Sequence, residues 1–524
     1  MNVKILLYSF GDLLRIISIL MLFPGMVAAY YREPEGVVAF AFTSIIAMGI
    51  SSLLRRHGEM GDLSIKNGFA LVAFGWLAAA MIGAIPYMLL GMGLTDSLFE
   101  SMSGFTTTGA SVLTESNSEG YWIINGELAN RSVAFVVAGS VEYLLWVTTN
   151  TTVSAVLPEQ PTYYGLLFWR SFSQWLGGMG IILLFIAILP RLGVAGKQLY
   201  RAEVPGPDKE SLTPRIRQTA ELLWGVYLSL SIIEVVLLKV AGMPLYDAVC
   251  NTFATMATGG FSPQSMSIEA YGSPVIEYIV VLFMFLAGAN FALHYKTVYQ
   301  DRMSLVRDPE FRLYSFIVMI STLFIAATAG MASPVPDRIR YALFQVVSIM
   351  TTTGFSTTNF DTWSPAAKIV LLLLMFVGAC AGSTGGAIKV VRVLLTLKYV
   401  QRELMLAIHP KAVIQVKLHD TAIREEIVRS TISFFGVYML TFAMASVMLA
   451  AVSYSDPAMN LEAIVSAVAS CLGNVGPGLG PVGPYMNYSA IHPLGKMILI
   501  LCMWMGRLEI MTVLVLLLPD FWKR

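Results

Sequence analysis

Four short stretches of this 524-residue chain carry a threonine or asparagine ahead of a glycine in the same order. They read Phe105-Thr106-Thr107-Thr108-Gly109-Ala110-Ser111, Met256-Ala257-Thr258-Gly259-Gly260-Phe261-Ser262, Met350-Thr351-Thr352-Thr353-Gly354-Phe355-Ser356 and Leu472-Gly473-Asn474-Val475-Gly476-Pro477-Gly478. These residues make no nucleophile–base pair. What they offer is backbone. Glycine tolerates φ > 0 at little steric cost, and a turn released from helix pairing can aim carbonyl oxygens at an alkali cation in place of its hydration shell. The candidate ligands are Thr107, Thr108 and Gly109; Ala257, Thr258 and Gly259; Thr352, Thr353 and Gly354; and Asn474, Val475 and Gly476. Threonine hydroxyls add a ligand or brace the turn. The competing reading, polar contacts between small residues of packed helices, explains neither the shared register nor what precedes each turn.

What precedes each turn follows from composition. Hydrophobic residues make up 56% of the chain and charged residues 13%, against about 25% charged in soluble domains. A net charge of +1 excludes a strongly basic, nucleic-acid-like surface. A helix crossing about 30 Å of hydrocarbon needs about 20 mainly apolar residues. Such runs lie near 3–30, 36–54, 67–91, 171–190, 219–242, 274–295, 311–331, 366–395, 427–453 and 494–518. Lys4 before the first run imitates a signal peptide, but Asp12 and Arg15 interrupt the run and no small-residue cleavage motif follows, so it is read as a retained helix. Four stretches too short to span, 95–106, 245–257, 338–351 and 458–472, lead into the four turns and begin near Asp96, Asp247, Asp337 and Asp456. Re-entrant segments have that length.

With every short stretch dipping in from outside, the inner connections 55–66, 191–217, 296–312, 389–429 and Lys523–Arg524 hold 23 of the 34 Lys and Arg. Cytoplasmic loops carry that excess, so both termini are expected to be cytoplasmic. The predicted fold is an all-α membrane protein: a two-helix unit (1–66), then four helix–pore-helix–filter–helix repeats (67–217, 218–310, 311–426 and 427–524) around one pseudo-fourfold pore.

Ionisable residues inside a span are costly and functional candidates by default. Arg507 lies mid-span in the last run, with Glu509 two residues on and therefore on another face. A pairing with the partner protomer's Glu509 or with a backbone carbonyl is the alternative to a place in the pore. Glu234 and Lys239 lie towards the outer half of their span, where snorkelling accounts for the lysine. The run Gly378–Gly386 interrupts an apolar segment, and each interior Gly costs about 1 kcal/mol relative to Ala. It reads as the one place in the eight pore-forming spans where helix propensity collapses at mid-depth. A broken helix with a loop below the turns is expected, with Gly382, Ser383, Thr384, Gly385, Gly386 and Arg507 as a gate; tight helix packing is the competing reading. It is no phosphate loop, because Ile388 precedes Lys389 and Val390 follows it. His57, His294, His409, His419 and His492 lie in loops or at span ends, and no H-E-x-x-H or G-x-S-x-G occurs, so nothing points to an intramembrane enzyme. Cys250, Cys380, Cys471 and Cys502 form no C-x-x-C pair and read as buried thiols.

On the four turns, on Trp169-Arg170-Ser171-Phe172-Ser173-Gln174-Trp175-Leu176-Gly177-Gly178-Met179-Gly180, on Gly382-Ser383-Thr384-Gly385-Gly386-Ala387-Ile388-Lys389 and on Gly506-Arg507-Leu508-Glu509-Ile510, the chain resembles the membrane subunits of Trk-type bacterial potassium uptake systems, in the superfamily with the Ktr and plant HKT transporters. The likeness covers nearly the whole chain. It implies a single chain imitating a tetrameric potassium channel, K+ as the transported ion, a bacterial or archaeal cytoplasmic membrane and no enzymatic activity. It implies homodimers with one pore per protomer, docked on a cytosolic ring of nucleotide-binding regulatory subunits. In the resemblance the arginine matching Arg507 lies below the filter and limits cation passage, and some sodium-preferring relatives carry serine at the position of Gly109. Coupling of potassium to sodium or protons stays open. One departure is an outer insertion, 114–168, within which Ser132–Val147 suggests a strand pair or a surface-packed segment.

Overall fold

The computed structural model describes residues 2–61, 64–117, 119–123, 162–180, 216–418 and 421–523. Two antiparallel spans open the chain. Helices α1 (Val3–Leu20) and α2 (Leu22–Tyr30) form one slightly broken span, and α3 (Pro34–His57) returns beside it. Small residues let the two approach: Ser18 and Ser44 each donate to the other's carbonyl at 2.8 Å, and Ser51 donates to the Gly11 carbonyl at 2.6 Å. Asp12 is ion-paired to Arg55 at 3.1 Å. Phe40 of α3 meets Trp169 edge-on, joining this pair to the remainder of the chain.

From α4 (Ile65–Leu89) onward one pattern recurs. A spanning helix leads to a short helix, a turn and a second apolar helix. The short helices are α5 (Leu94–Phe105), α8 (Leu245–Met256), α13 (Val335–Met350) and α17 (Leu461–Gly473). At 12, 12, 16 and 13 residues they reach about 18–24 Å at 1.5 Å per residue, short of a crossing. Their preceding spans are α4, α7 (Ile216–Val240), α12 (Pro309–Thr328) and α16 (Glu425–Val452). Their following helices are α6 (Tyr164–Gly178), α9 (Pro274–Ala287), α14 (Pro365–Phe376) and α18 (Pro493–Arg507), and α10 (Phe291–Tyr299) and the short α11 (Ser304–Arg307) lie between α9 and α12. Asp96, Asp247 and Asp337 lie in the first turns of their short helices, where a carboxylate suits the helix dipole. Asp456 does not. It precedes α17, which Asn460 caps, and Glu462 takes the first-turn place.

Six described helices are long and apolar enough to cross a membrane, and two bent pairs raise the number to eight. The span expected at 171–190 begins within α6, and its remainder lies outside the described residues, as do Ser132–Val147, His419 and most of the connection 191–217. The span expected at 366–395 is split: α14 stops at Phe376 and α15 (Val390–Ile408) starts after a loop. The insertion opens with a small hairpin, β1 (Glu115–Ser116) against β2 (Trp122–Ile123). The basic connection after α15 holds a second one, β3 (Lys417–Leu418) against β4 (Thr421–Ala422).

The units are latched in cyclic order near the starts of their second apolar helices. Lys368, the fourth residue of α14, pairs with Glu462 of α17 at 2.9 Å. Lys496, the fourth residue of α18, pairs with Asp96 of α5 at 2.5 Å. Glu277, the fourth residue of α9, pairs with Arg340 of α13 at 3.4 Å with the signs reversed. Between the first and second units the Tyr246 hydroxyl of α8 donates to the Tyr164 carbonyl of α6 at 2.6 Å. Lys496 is 5% exposed and so depends on its partner for compensation. Asp96→Lys is therefore expected to cost roughly 2–4 kcal/mol, read as thermal inactivation in detergent. The exchange Asp96→Lys with Lys496→Asp should recover all but about 1 kcal/mol, the residue being a cation at a helix N-terminus.

Candidate functional site

Each short helix ends the same way. Thr107, Thr258, Thr352 and Asn474 take left-handed φ values of 52°, 52°, 60° and 56°. The next residue's N–H then reaches back five positions into the helix: Thr108 to Ser103, Gly259 to Ala254, Thr353 to Ser348 and Val475 to Ser470, at 2.8–2.9 Å. This is the Schellman closure, and here non-glycine residues adopt it at a cost of order 1–3 kcal/mol each. Its effect is directional. The N–H groups of the turn point back into the short helix, and the turn's carbonyl oxygens are left for the other side.

The next residue closes a ring. Gly109, Gly260, Gly354 and Gly476 have φ of 79°, 76°, 84° and 108°. A methyl group on Gly109 would overlap the Gly259 carbonyl oxygen, one on Gly260 that of Thr353, one on Gly354 that of Val475, and one on Gly476 that of Thr108. The turns thus touch in the order first, second, third, fourth and back to first, each glycine against the carbonyl one position earlier in its neighbour. All four glycines line the floor of one open cavity of about 70 Å³, room for a few waters. The same register corrects the second triplet. The sequence pattern singled out Ala257, Thr258 and Gly259, but the backbone equivalents of Thr107, Thr108 and Gly109 are Thr258, Gly259 and Gly260.

Side chains brace the ring from behind. Thr108 and Thr353 hydroxyls lie 2.8 and 2.7 Å from those of Thr106 and Thr351, which donate to the carbonyls of Met102 and Val347. Asn474 donates to the Thr108 hydroxyl and to the Met503 carbonyl, both at 3.0 Å. Gln174 of α6 donates to the Gly259 carbonyl at 2.6 Å and accepts from Phe261 N–H at 3.0 Å. Glu100 and Arg170, both buried, pair at 2.8 Å. Glu100 also accepts from Val112 N–H, while Arg170 donates to the Ser262 carbonyl and lies over the Phe261 ring. These two join the first turn's helix to the second turn's exit. Sequence reasoning passed over Glu100 and gave Arg170 and Gln174 no role beyond the motif that carries the resemblance, although an acid in a short apolar helix and an Arg inside an apolar run are both costly enough to serve as signals.

Below the ring lies the loop 377–389. Its two ends pair as a parallel bridge, Val377 to Ile388. Glu310 at the start of α12 accepts from the N–H groups of Ala381 and Val391, at 2.7 and 2.9 Å, pinning both flanks. Gly382 accepts from Phe291 N–H at 3.0 Å. Ser383 donates to the Cys380 carbonyl at 2.5 Å. Thr384 donates to the Met256 carbonyl at 3.0 Å, beneath the second turn, and the Thr258 hydroxyl lies 3.2 Å from it. Gly385 accepts from the Lys389 ammonium, and Gly386 N–H donates to the Thr352 hydroxyl at 2.7 Å, beneath the third turn. A methyl on Gly386 would overlap the Gly473 carbonyl below the fourth. Arg507 completes the layer, donating to the carbonyls of Thr384, Gly177 and Gly178 at 2.7, 2.5 and 2.9 Å. The loop residues Gly382–Gly386 and Arg507 thus lie together, with the loop against the second, third and fourth turns, and the bonds of Arg507 to backbone carbonyls are the alternative that its sequence position offered.

Two expectations fail here. The last span is not continuous: α18 ends at Arg507, and α19 (Met511–Leu517) leaves at 113°, through Glu509 and Ile510 at positive φ. Glu509 is turned to Arg392 at 2.6 Å. Nor is 378–386 the one break, since α9 bends by 96° into α10 (Phe291–Tyr299) at Gly288–Asn290. Asn290, which caps α10, was the available signal. Glu234 is buried in α7 and Lys239 exposed, as snorkelling requires. All four cysteines are free and buried.

Re-entrant helices whose turns close a carbonyl ring in an apolar, multi-pass chain define a membrane cation-transport protein. The family described as "TrkH: Cation transport protein" matches residues 35–523, and the chain belongs to it. The Trk system potassium uptake protein TrkH of Escherichia coli (strain K12) is 37% identical over 98% of both chains. TrkG of the same organism, also called a Trk system potassium uptake protein, is 30% identical over 100% of this chain and 99% of its own. The crystal structure of the potassium transporter TrkH from Vibrio parahaemolyticus superposes with a TM-score of 0.82 at 33% identity, covering both chains fully.

Removing one partner of the Glu100–Arg170 pair leaves a buried charge. Arg170→Ala should cost about 3–5 kcal/mol of stability. Arg170→Lys should recover less than half of that, because a lysine cannot reproduce the guanidinium fork. Thermal inactivation of detergent-purified protein measures both.

Proposed function

We propose that this chain takes up potassium ions across the cytoplasmic membrane, through a pore whose selectivity filter is the ring of four turns. The observation that carries the reading is the cyclic fit of Gly109, Gly260, Gly354 and Gly476 against their neighbours' carbonyls. Only a closed ring around one axis gives that order, and inward carbonyls are the ligands that strip water from an alkali cation. The relatives' names, which specify potassium, support the choice of ion. The working units are 1–66, 67–217 with the outer insertion 114–168, 218–310, 311–426 and 427–524. The basic inner connections favour cytoplasmic termini.

The loop with Gly382–Gly386, together with Arg507, is the gate. It lies against the second, third and fourth turns, and a guanidinium there repels cations on the axis. Shifting the loop a few ångströms, by tension on the connection after Lys389, would clear the path. The protein works as a homodimer on a cytosolic regulatory ring that itself holds the nucleotide.

In liposomes containing purified protein, potassium and rubidium should outrun sodium; equal sodium and potassium flux would sink the filter. Gly109→Ser should weaken the preference, since its side chain collides with the Gly259 carbonyl. Arg507→Ala, or deletion within the loop, should raise basal flux about tenfold, about 1.4 kcal/mol off the barrier, with ion preference largely kept. If deletion left flux unchanged, or abolished preference before altering rate, the loop would be a packing element. A ring of nucleotide-binding subunits should co-purify from native membranes. Flux fully controlled by nucleotide without any second protein would refute that assignment.

A further inference from the structure

Each turn is held on its outer side by the loop of the preceding unit. Ser111, after the first turn, accepts from Tyr488 N–H of the fourth unit's loop at 2.9 Å. Ser356, after the third, donates to the Ser267 hydroxyl at 3.2 Å and accepts from Glu269 N–H at 3.3 Å, both from the second unit's loop. Gly480, after the fourth, donates to Asp361 of the third unit's loop at 2.9 Å. The corresponding contact on the second turn comes from the hairpin that opens the insertion. Trp122 N–H donates to the Pro263 carbonyl at 3.2 Å, Ser265 N–H donates to the Gly120 carbonyl at 2.8 Å, and Tyr121 and Gln264 face one another as an antiparallel pair. The Tyr121 hydroxyl reaches Asp247, in the first turn of α8, at 3.3 Å. The hairpin is anchored in turn, with the Asn117 amide donating to the Thr162 hydroxyl at 2.9 Å just ahead of α6. Trp122 lines the outer cavity together with the four glycines.

We propose that the hairpin of β1 and β2 is the first unit's prop for the second filter turn, and that ion discrimination depends on its docking. The proposal rests on the reading of the turns as a selectivity filter. Pro263 is three residues beyond Gly260, so a strand bonded on both sides of Gln264 limits how far Gly260 can move towards the axis. A ring with one quarter released can contract around a smaller ion, and preference falls when the number and reach of carbonyls around the cation change. Trp122, Tyr121 and Gln264 act as positioning residues. They hold the turn and do not themselves bind the ion.

Proline removes a backbone donor, so Trp122→Pro and Ser265→Pro each delete one of the two bonds. The full-length protein in liposomes, with potassium and sodium flux measured side by side, should lose about threefold or more of its potassium-to-sodium ratio in either variant. Antiparallel partners lie within disulfide reach. Adding Tyr121→Cys with Gln264→Cys to the Trp122→Pro variant and oxidising it should therefore restore the ratio, and reduction should remove it again. A merely destabilised protein would not regain selectivity from one outer crosslink. If the proline variants fail to accumulate, the cysteine pair alone decides: a low ratio reduced and a recovered one oxidised supports the prop, and the same ratio in both states overturns it. An unmodified protein without preference would overturn the filter reading and this proposal with it. A discriminating parent whose proline variants keep its ratio would overturn the prop alone.

Discussion

Backbone at membrane depth must satisfy its N–H groups without water, and the way this chain meets that demand determines the remainder of the architecture. Four helices end in the middle of the protein, and each turns its last N–H groups back on itself through a left-handed residue. That closure leaves the turn carbonyls without partners in their own helices, and they are tolerable there only if a side chain, as Gln174 at Gly259 and Tyr488 at Gly476, or something cationic or wet faces them. The ring, the cavity above it and the braces behind it follow from that asymmetry. Gln174, Asn474 and the Glu100–Arg170 pair occupy the positions from which a loose turn would be stiffened.

The inner side obeys the same rule with a different outcome. Three chain segments lose their helix at one level, at Gly288–Asn290, at 377–389 and at Leu508–Ile510. The first two satisfy each other's backbone, Cys380 N–H bonding to the Gly288 carbonyl and Phe291 N–H to the Gly382 carbonyl, while the third is tied to them by the Arg507 side chain on the Thr384 carbonyl. A set of breaks that pair among themselves can be rearranged together with little loss, whereas a regular helix at that depth cannot.

Element type was legible because length and polarity are coarse properties. The four short helices fall within a few residues of the apolar stretches that predict them, and the four turns are where threonine and glycine cluster. Register was harder. Gly259 and Gly260 are adjacent and alike, and only φ shows which is the counterpart of Gly109. The seam latches were readable but unread: Pro274-Val275-Ile276-Glu277, Pro365-Ala366-Ala367-Lys368 and Pro493-Leu494-Gly495-Lys496 share a helix-starting proline and a charge three residues on. The bends at Gly288 and Leu508 were missed although Asn290 marks the first and Arg507 with Glu509 the second, because the apolar residues on either side add up to one span length. Asp456 misled because an acid near a helix start is common, while the cap itself is an asparagine four residues later.

The reversed seam has a bearing on assembly order. Near their starts α14 and α18 present lysine and α9 presents glutamate, whereas α5 and α17 offer an acid and α13 offers Arg340. Seating α9 against α5 or α17 would bring two carboxylates together, and seating α14 or α18 against α13 would bring two cations together. Misordered neighbours are therefore penalised by like charge. The reversed sign thus acts as an address, matching the second unit to the third and to no other neighbour.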